Sequence, residues 1–384
     1  MKKNHVIIVT CLLLVISGCR KPFEPPAIRA DYNYLVIDGV INAGTNAVTT
    51  INLSRTKNLN DSSIAPKPEL GAQVTIEREG GGSFSLNTQN NGSYTSQALN
   101  LSATAKYRLN IKTSNGNVYQ SDYVPVKQTP PIDSLSWKQD SVYHDVTIFA
   151  HTHDPQNSTR YYRWDFVETW QYRAPIEASY GVANGLSYFI NPFDALLQQY
   201  NCWTTTASTT IATASSEALS QDVISYAPVN IVKQHAEKMM VRYSINVRQY
   251  GITKEAYQYW QILQKSTQQT GTIFDPQPSQ VIGNIHCITN TDEPVIGYVS
   301  VCTTTEKRLF IDYSQLNNWF FKPSGVVCVT VNSFQNPVDF RIINYPDTTF
   351  TIYYYTSGGG LVLTKKDCLD CRRRGGTNQK PSFW

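Results

Sequence analysis

The 384-residue sequence predicts a mainly β protein, an N-terminal β-sandwich followed by a larger β-rich unit with a few helices. Short apolar-polar alternating or β-branched runs recur, the pattern of strands with one buried face. Between them stand Gly80–Ser83 "GGGS", Asn90–Ser93 "NNGS" and Ser114–Asn117 "SNGN", turn sequences that supply the positive φ of tight hairpins. The chain holds 24 Tyr and 7 Trp against 3 Met, which favours pleated surfaces over helix bundles.

The chain opens on a leader. Lys2 and Lys3 precede an apolar core from Val6 to Ile16, long enough for a signal h-region and too short to span a bilayer. Ile16-Ser17-Gly18-Cys19 ends it, an aliphatic residue and two small ones before a cysteine, as in a bacterial lipobox. Residues 1–18 therefore read as a lipoprotein signal peptide, and Cys19 as the acylated first residue of the mature chain. Each buried acyl methylene contributes about 0.8 kcal/mol, so several chains hold a protein on a membrane without a spanning helix. Cleavage removes Lys2 and Lys3 and lowers the formal charge from +4, too near neutral to argue for nucleic acid.

Residues 19–30, with three prolines in "RKPFEPPAIRA", read as a semi-rigid tether. Residues 31–127 form the predicted sandwich, from "YLVIDGVIN" to "VYQSDYVPV", with a hairpin over Lys106–Gln120 as its clearest part. Pro130-Pro131 mark an interdomain joint. The second unit, 128–384, begins with "DVTIFAHT" and "RYYRWDFVETWQY"; the latter puts Tyr162, Trp164 and Phe166 on one face, assigned to the core, and Tyr161, Arg163 and Asp165 on the other. Residues 191–232 read as an irregular excursion with short helices near "PFDALLQQY" and "ASSEALSQD". A helix over 253–268 follows, capped by Thr253, with Glu255 in its first turn and a buried stripe of Ala256, Trp260 and Leu263. After "FDPQPSQ" come strand patterns "VIGNIHCI", "VIGYVSVCT", "KRLFIDY", "GVVCVTV" and "FTIYYYT", and Gly358–Gly360 read as a hairpin turn.

The stretches "RYSINVRQYGITKEAYQYWQ", "GTIFDPQPSQVIGNI" and "DEPVIGYVSV", with the terminus "CLDCRRRGGTNQKPSFW", resemble the Bacteroidota lipoproteins of domain of unknown function 4249 over nearly the whole mature chain. The resemblance implies an exported lipoprotein with an immunoglobulin-like or carboxypeptidase-regulatory-like sandwich, encoded beside a TonB-dependent outer-membrane receptor. It brings no catalytic residues. Surface export in such bacteria resembles a pattern with an acidic tract after the lipidated cysteine, whereas Arg20 and Lys21 stand here.

Candidate chemistry is sparse. His151, His153 and Asp154 lie close in "HTHDP", the two imidazoles on one strand face, but no third histidine is near, and the expectation is no metal site and no cofactor. Six cysteines remain beyond Cys11 and Cys19, an even set that favours disulfides in an exported chain. Cys368 and Cys371 form a C-x-x-C that suits half a zinc site, a redox dithiol or a local disulfide; the last is favoured, because no second ligand pair exists and the setting is an end-of-chain loop. Such a bridge would let Phe383 and Trp384 dock as a plug, while Arg372–Arg374 form a solvated charge run. Pairings Cys302–Cys328 and Cys202–Cys287, with Trp203 packed on a bridge, are the guesses for the rest.

No nucleophile elbow, H-E-x-x-H, P-loop or dinucleotide fingerprint occurs. The leading expectation is thus a non-enzymatic outer-membrane lipoprotein, accessory to a TonB-dependent transporter, that captures a small-molecule, glycan or peptide ligand or covers the barrel mouth. The alternatives are an envelope hydrolase acting on glycan or peptide through two carboxylates, and a purely structural envelope protein.

Overall fold

A computed structural model describes residues 33–57, 66–177, 180–183, 186–189, 199–268, 282–321, 328–333, 350–355 and 361–384. The leader, Cys19, the tether, "FDPQPSQ" and Gly358–Gly360 lie outside the described residues. The mainly β class is as expected.

The first unit contributes β1 (Leu35–Asn42), β2 (Thr50–Arg55), β3 (Lys67–Pro68), β4 (Gln73–Arg78), β5 (Ser83–Thr88), β6 (Ser93–Ser96), β7 (Lys106–Lys112), β8 (Val118–Ser121) and β9 (Val124–Pro125). Their alternation is clean: Tyr107, Leu109 and Ile111 on β7 point inward and are buried, with polar residues between them. Two further strands of the same sheet come from far along the chain, β19 (Ile285–Cys287) and β20 (Ser300–Cys302). The sheet order is β19-β8-β7-β4-β5-β6-β2-β1-β20, with β3 on β2 and β9 on β7. It curls around one core that holds Ile41, Ile51, Tyr94, Tyr119, Ile285 and Val301.

The two ends of the curled sheet are drawn together by Asn284. Its Nδ2 donates to the Val299 carbonyl and its Oδ1 accepts from the Val299 N–H, each at 2.9 Å. A division at residue 127 therefore leaves out two strands of the first unit. Local pattern marks 285–287 and 300–302 as strands but carries no information on which sheet they join.

The second unit is built from β10 (Ile132–Gln139), β11 (Val146–Asp154) and β17 (Asp222–Val232) in one sheet. Its second sheet runs β15 (Asn201–Ala207), β12 (Tyr161–Arg173), β18 (Arg242–Gly251) and β21 (Thr304–Asp312), with β16 (Ala212–Ser215) also on β12. Tyr162, Trp164 and Phe166 lie in the core shared by these sheets, as the alternation of β12 predicts, with Ile148, Tyr243 and Trp319. Each such large apolar side chain contributes roughly 1.5–3 kcal/mol when fully buried. Smaller pieces are the hairpin β13 (Tyr180–Ala183) and β14 (Leu186–Phe189), and a sheet of β22 (Val331–Ser333), β24 (Leu361–Lys365) and β23 (Phe350–Tyr355).

The Pro130-Pro131 joint is pinned. The Pro130 carbonyl accepts from Gln249 Nε2 at 2.8 Å and Thr305 Oγ1 at 3.1 Å, while Gln249 Oε1 accepts from Trp164 Nε1 at 2.8 Å. Helix α1 (Lys254–Gln268) matches the expected span, and Thr253 Oγ1 accepts from the Ala256 N–H as its cap. Ala256 and Tyr259 are its most buried residues, with Trp260 and Leu263 half-buried.

No helix forms at "ASSEALSQD", which is the end of β16 followed by a turn. Arg160 accounts for this: its guanidinium donates to the carbonyls of Ser216, Leu219 and Ser220 at 3.3, 2.9 and 3.3 Å, taking acceptors a helix would need. Most of "PFDALLQQY" lies outside the described residues.

Candidate functional site

A polar cleft of about 480 Å³ opens between the two units. One wall is β1 and β2, with Asp38, Asn42, Thr50 and Asn52; Gly39 sits there with φ +148°, where a Cβ would meet the Thr50 carbonyl at 2.6 Å. The other wall is the face of β12, β18 and β21 turned away from the core. Pairing in register lays two rows across it, Arg163-Tyr250-Thr304 and Asp165-Arg248-Glu306.

The charges of this wall are mostly tied. Arg248 Nε donates to Glu306 Oε1 at 2.6 Å and Asn246 Nδ2 to Glu306 Oε2 at 2.8 Å. Burial alone would raise the Glu306 carboxyl, but these donors outweigh it and hold it below the ordinary carboxylate range. The Tyr250 hydroxyl donates to Asp165 Oδ2 at 2.6 Å, and burial followed by the Asp165 charge pushes Tyr250 up, so it stays neutral. Arg163 is stacked: its guanidinium carbon is 4.0 Å from the Trp260 ring centre and 5.1 Å from that of Tyr250. Its nearest carboxylate, Asp165, is 3.6 Å away, and among the described residues the guanidinium makes no hydrogen bond. Asp38 likewise has neither hydrogen bond nor ion pair among the described residues.

The "HTHDP" stretch forms no metal centre, and no group of three His, Cys, Asp or Glu suited to a metal occurs among the described residues. His151 and His153 do share the outer face of β11, while Asp154 turns inward. Asp154 Oδ2 accepts from the N–H groups of Ser158 and Thr159 at 2.8 and 3.0 Å and from Ser158 Oγ at 2.8 Å, the work of a turn cap. His153 Nδ1 bonds Asp133 Oδ2 at 2.8 Å. His151 Nε2 lies 2.7 Å from Ser136 Oγ, which invites comparison with a nucleophile and its base. The Tyr226 N–H donates to His151 Nδ1 at 3.3 Å, so in the neutral ring the proton sits on Nε2 and points at the serine. That tautomer cannot take a proton from Ser136.

The cysteines correct the expectation. Cys368 and Cys371 are both bridged, but not to each other: the disulfides are Cys328–Cys368 and Cys202–Cys371, and Cys287 and Cys302 are free and buried. Cys368 sits in helix α2 (Lys366–Leu369), Cys371 begins the next turn, and Asp370 between them is extended, with φ −122° and ψ 103°. The break sends the thiols toward different partners, Cys202 on β15 and Cys328 ahead of β22. Cys287 and Cys302 lie on the terminal strands β19 and β20 of the first sheet, away from both bridges; burial pushes the Cys302 thiol up to about 12.

The C-terminus docks. Trp384 meets Phe310 and Trp203 edge-on at 5.8 and 6.4 Å, and Arg308 stands 3.6 Å over the Phe383 ring. The arginine run is paired within the chain: Arg372 with Asp370, Arg373 with Asp367, and Arg374 with Glu237 at 2.6 Å.

A family model described as domain of unknown function (DUF4249) matches residues 20–308. The chain belongs to this family. The match ends within β21, so the DUF4249 region takes in the first unit with β19 and β20, both walls of the cleft and α1, while both disulfides need residues beyond it. No curated protein matches the sequence. Among solved structures, the native conformation of E. coli alpha-2-macroglobulin aligns at 9% identity and a TM-score of 0.17, over 59% of this chain and 14% of that one, too loosely to relate the folds. No helix among the described residues is long and apolar enough to cross a membrane.

Nothing in the sequence singles out Asp38, Arg248 or Glu306, since the cleft joins segments more than 100 residues apart. The one legible signal was the alternation of β12, which sets Arg163 and Asp165 opposite the core face.

Proposed function

We propose that the protein is an exported lipoprotein, held to the outer membrane through Cys19, that serves a TonB-dependent transporter as a non-enzymatic partner and holds ligand in the cleft between its two units. The cleft carries this reading. Most of its charges are paired with one another, an arrangement suited to binding. Glu306, held low by its donors, is unsuited to be the general acid of a two-carboxylate hydrolysis. Two long-range disulfides suit an oxidising compartment, in line with the lipobox leader. The resemblance to lipoproteins encoded beside TonB-dependent receptors supplies the partner.

The test is affinity purification from the outer membrane with mass spectrometry of what accompanies the protein. Trp384 is packed, so the tag belongs in the Gly80–Gly82 turn, where added Cβ atoms meet nothing within 4 Å. A stoichiometric TonB-dependent barrel is expected, and a protein that purifies alone contradicts the partnership. Cys19→Ala is expected to shift the protein to the soluble fraction; retention on the membrane contradicts the anchor.

A further inference from the structure

We propose that the cleft selects a zwitterion, an amino acid or short peptide with free termini, with Arg163 receiving the carboxylate and Asp38 the ammonium group. This rests on the cleft being the ligand site.

One charged group of each sign keeps open hydrogen-bonding capacity. Arg248 and Glu306 neutralise each other at 2.6 Å, and Asp165 is engaged by the Tyr250 hydroxyl. What remains is Arg163, which meets Asp165 as an ion pair at 3.6 Å but makes no hydrogen bond among the described residues, and Asp38, which makes neither a side-chain hydrogen bond nor an ion pair among them. The two line opposite walls, and no ion pair joins them. A purely cationic ligand would leave the Arg163 donors unused, an anionic one would face Asp38, and a neutral glycan would offer both groups uncharged hydroxyls in place of charge-assisted partners.

The Arg163 geometry is that of a receptor. Its faces are occupied by Trp260 and Tyr250, its side chain is only 15% exposed, and stacking holds the plane of the fork still. A guanidinium ordered in advance loses little freedom when it takes a carboxylate through two parallel hydrogen bonds. Asn52, Thr50 and Thr304 add uncharged donors and acceptors suited to a peptide amide. A volume of about 480 Å³ lies in the small-molecule range.

The experiment is titration calorimetry on the detergent-solubilised mature lipoprotein with trialanine, N-acetyl-trialanine, trialanine amide and maltotriose. Trialanine is expected to bind, and either capped form to bind roughly tenfold or more weakly, the loss that accompanies one charge-assisted hydrogen bond. Asp38→Asn, an exposed change that the fold tolerates, is expected to erase the difference between trialanine and its N-acetyl form. Arg163→Lys keeps the charge and loses the fork; it is expected to weaken trialanine and leave the amide unchanged. Equal binding of capped and free peptide, indifference to Asp38→Asn, or no heat from trialanine at millimolar concentration each overturns the proposal. Binding of maltotriose alone keeps the cleft as the ligand site with another ligand class. Silence from all four probes while a barrel still co-purifies removes the ligand site and leaves the transporter partnership standing.

Discussion

At Gly283 a Cβ would stand 1.7 Å from the Gly297 carbonyl oxygen, and at Gly297, with φ +140°, one would stand 2.3 Å from the Ile37 carbonyl oxygen. Backbone meets backbone here, so neither neighbour can swing aside. Gly283→Ala is expected to cost about 2 kcal/mol or more, read as a lower urea midpoint at unchanged slope. Beside it, Asn284→Ala removes both hydrogen bonds to Val299 and leaves two buried backbone groups unpaired, an expected loss of about 2–4 kcal/mol. An unaltered midpoint would mean that the sheet ends are held without Asn284. Two carboxylates contribute to the acid limb. Burial raises Asp154, but its hydrogen bonds from Ser158, Gln156 and Thr159 outweigh this and depress it below 3.8; Glu306 is likewise depressed below 4.5. Each unfolded carboxyl binds protons before its folded counterpart, so the stability is present above pH 4.5 and lost as pH falls through the depressed values. Asp154→Asn is expected to flatten the fall of the urea midpoint between about pH 5 and 3; an unchanged slope would assign the acid limb to other groups.

The strands were legible because a half-buried strand writes its two faces into alternate residues, as β7 and β12 do. The helix over 254–268 was legible through its cap and stripe. The turn at "ASSEALSQD" was not, because a guanidinium from Arg160 decides it. The disulfides were half legible: an even count in an exported chain points to bridges, and spacing cannot reveal a break at Asp370. The bridges close loops of 169 and 40 residues, where a C-x-x-C bridge would close almost nothing, so each contributes on the order of 4 kcal/mol in the chain-entropy account. Peptide mapping without reduction is expected to yield Cys202–Cys371 and Cys328–Cys368, with Cys287 and Cys302 alkylated only after unfolding. A Cys368–Cys371 peptide would refute the pairing. Strand β17 protects its own outer edge: it carries Pro228 and Tyr226 with φ +56°, and its partner β11 shifts register twice beside it. Such irregularity is invisible in a β-rich window.

Across the whole molecule, the two units are joined more than once. The chain leaves the first sheet after β9, builds the second unit through α1, returns to add β19 and β20, and continues directly into β21. A fragment of residues 31–127 is therefore expected to lack a cooperative unfolding transition, since it has neither β19 nor β20 to cover its core. A sharp two-state melt of that fragment would show the returning strands to be dispensable. The sequence by itself determined the β class, the helix, the buried aromatic face of β12 and the lipobox pattern, because periodicity, capping and short motifs are set by neighbours along the chain. The tertiary structure alone decided the closure by Asn284, the disulfide partners and the cleft, because each joins groups far apart in sequence, and only packing and loop closure determine which of them meet.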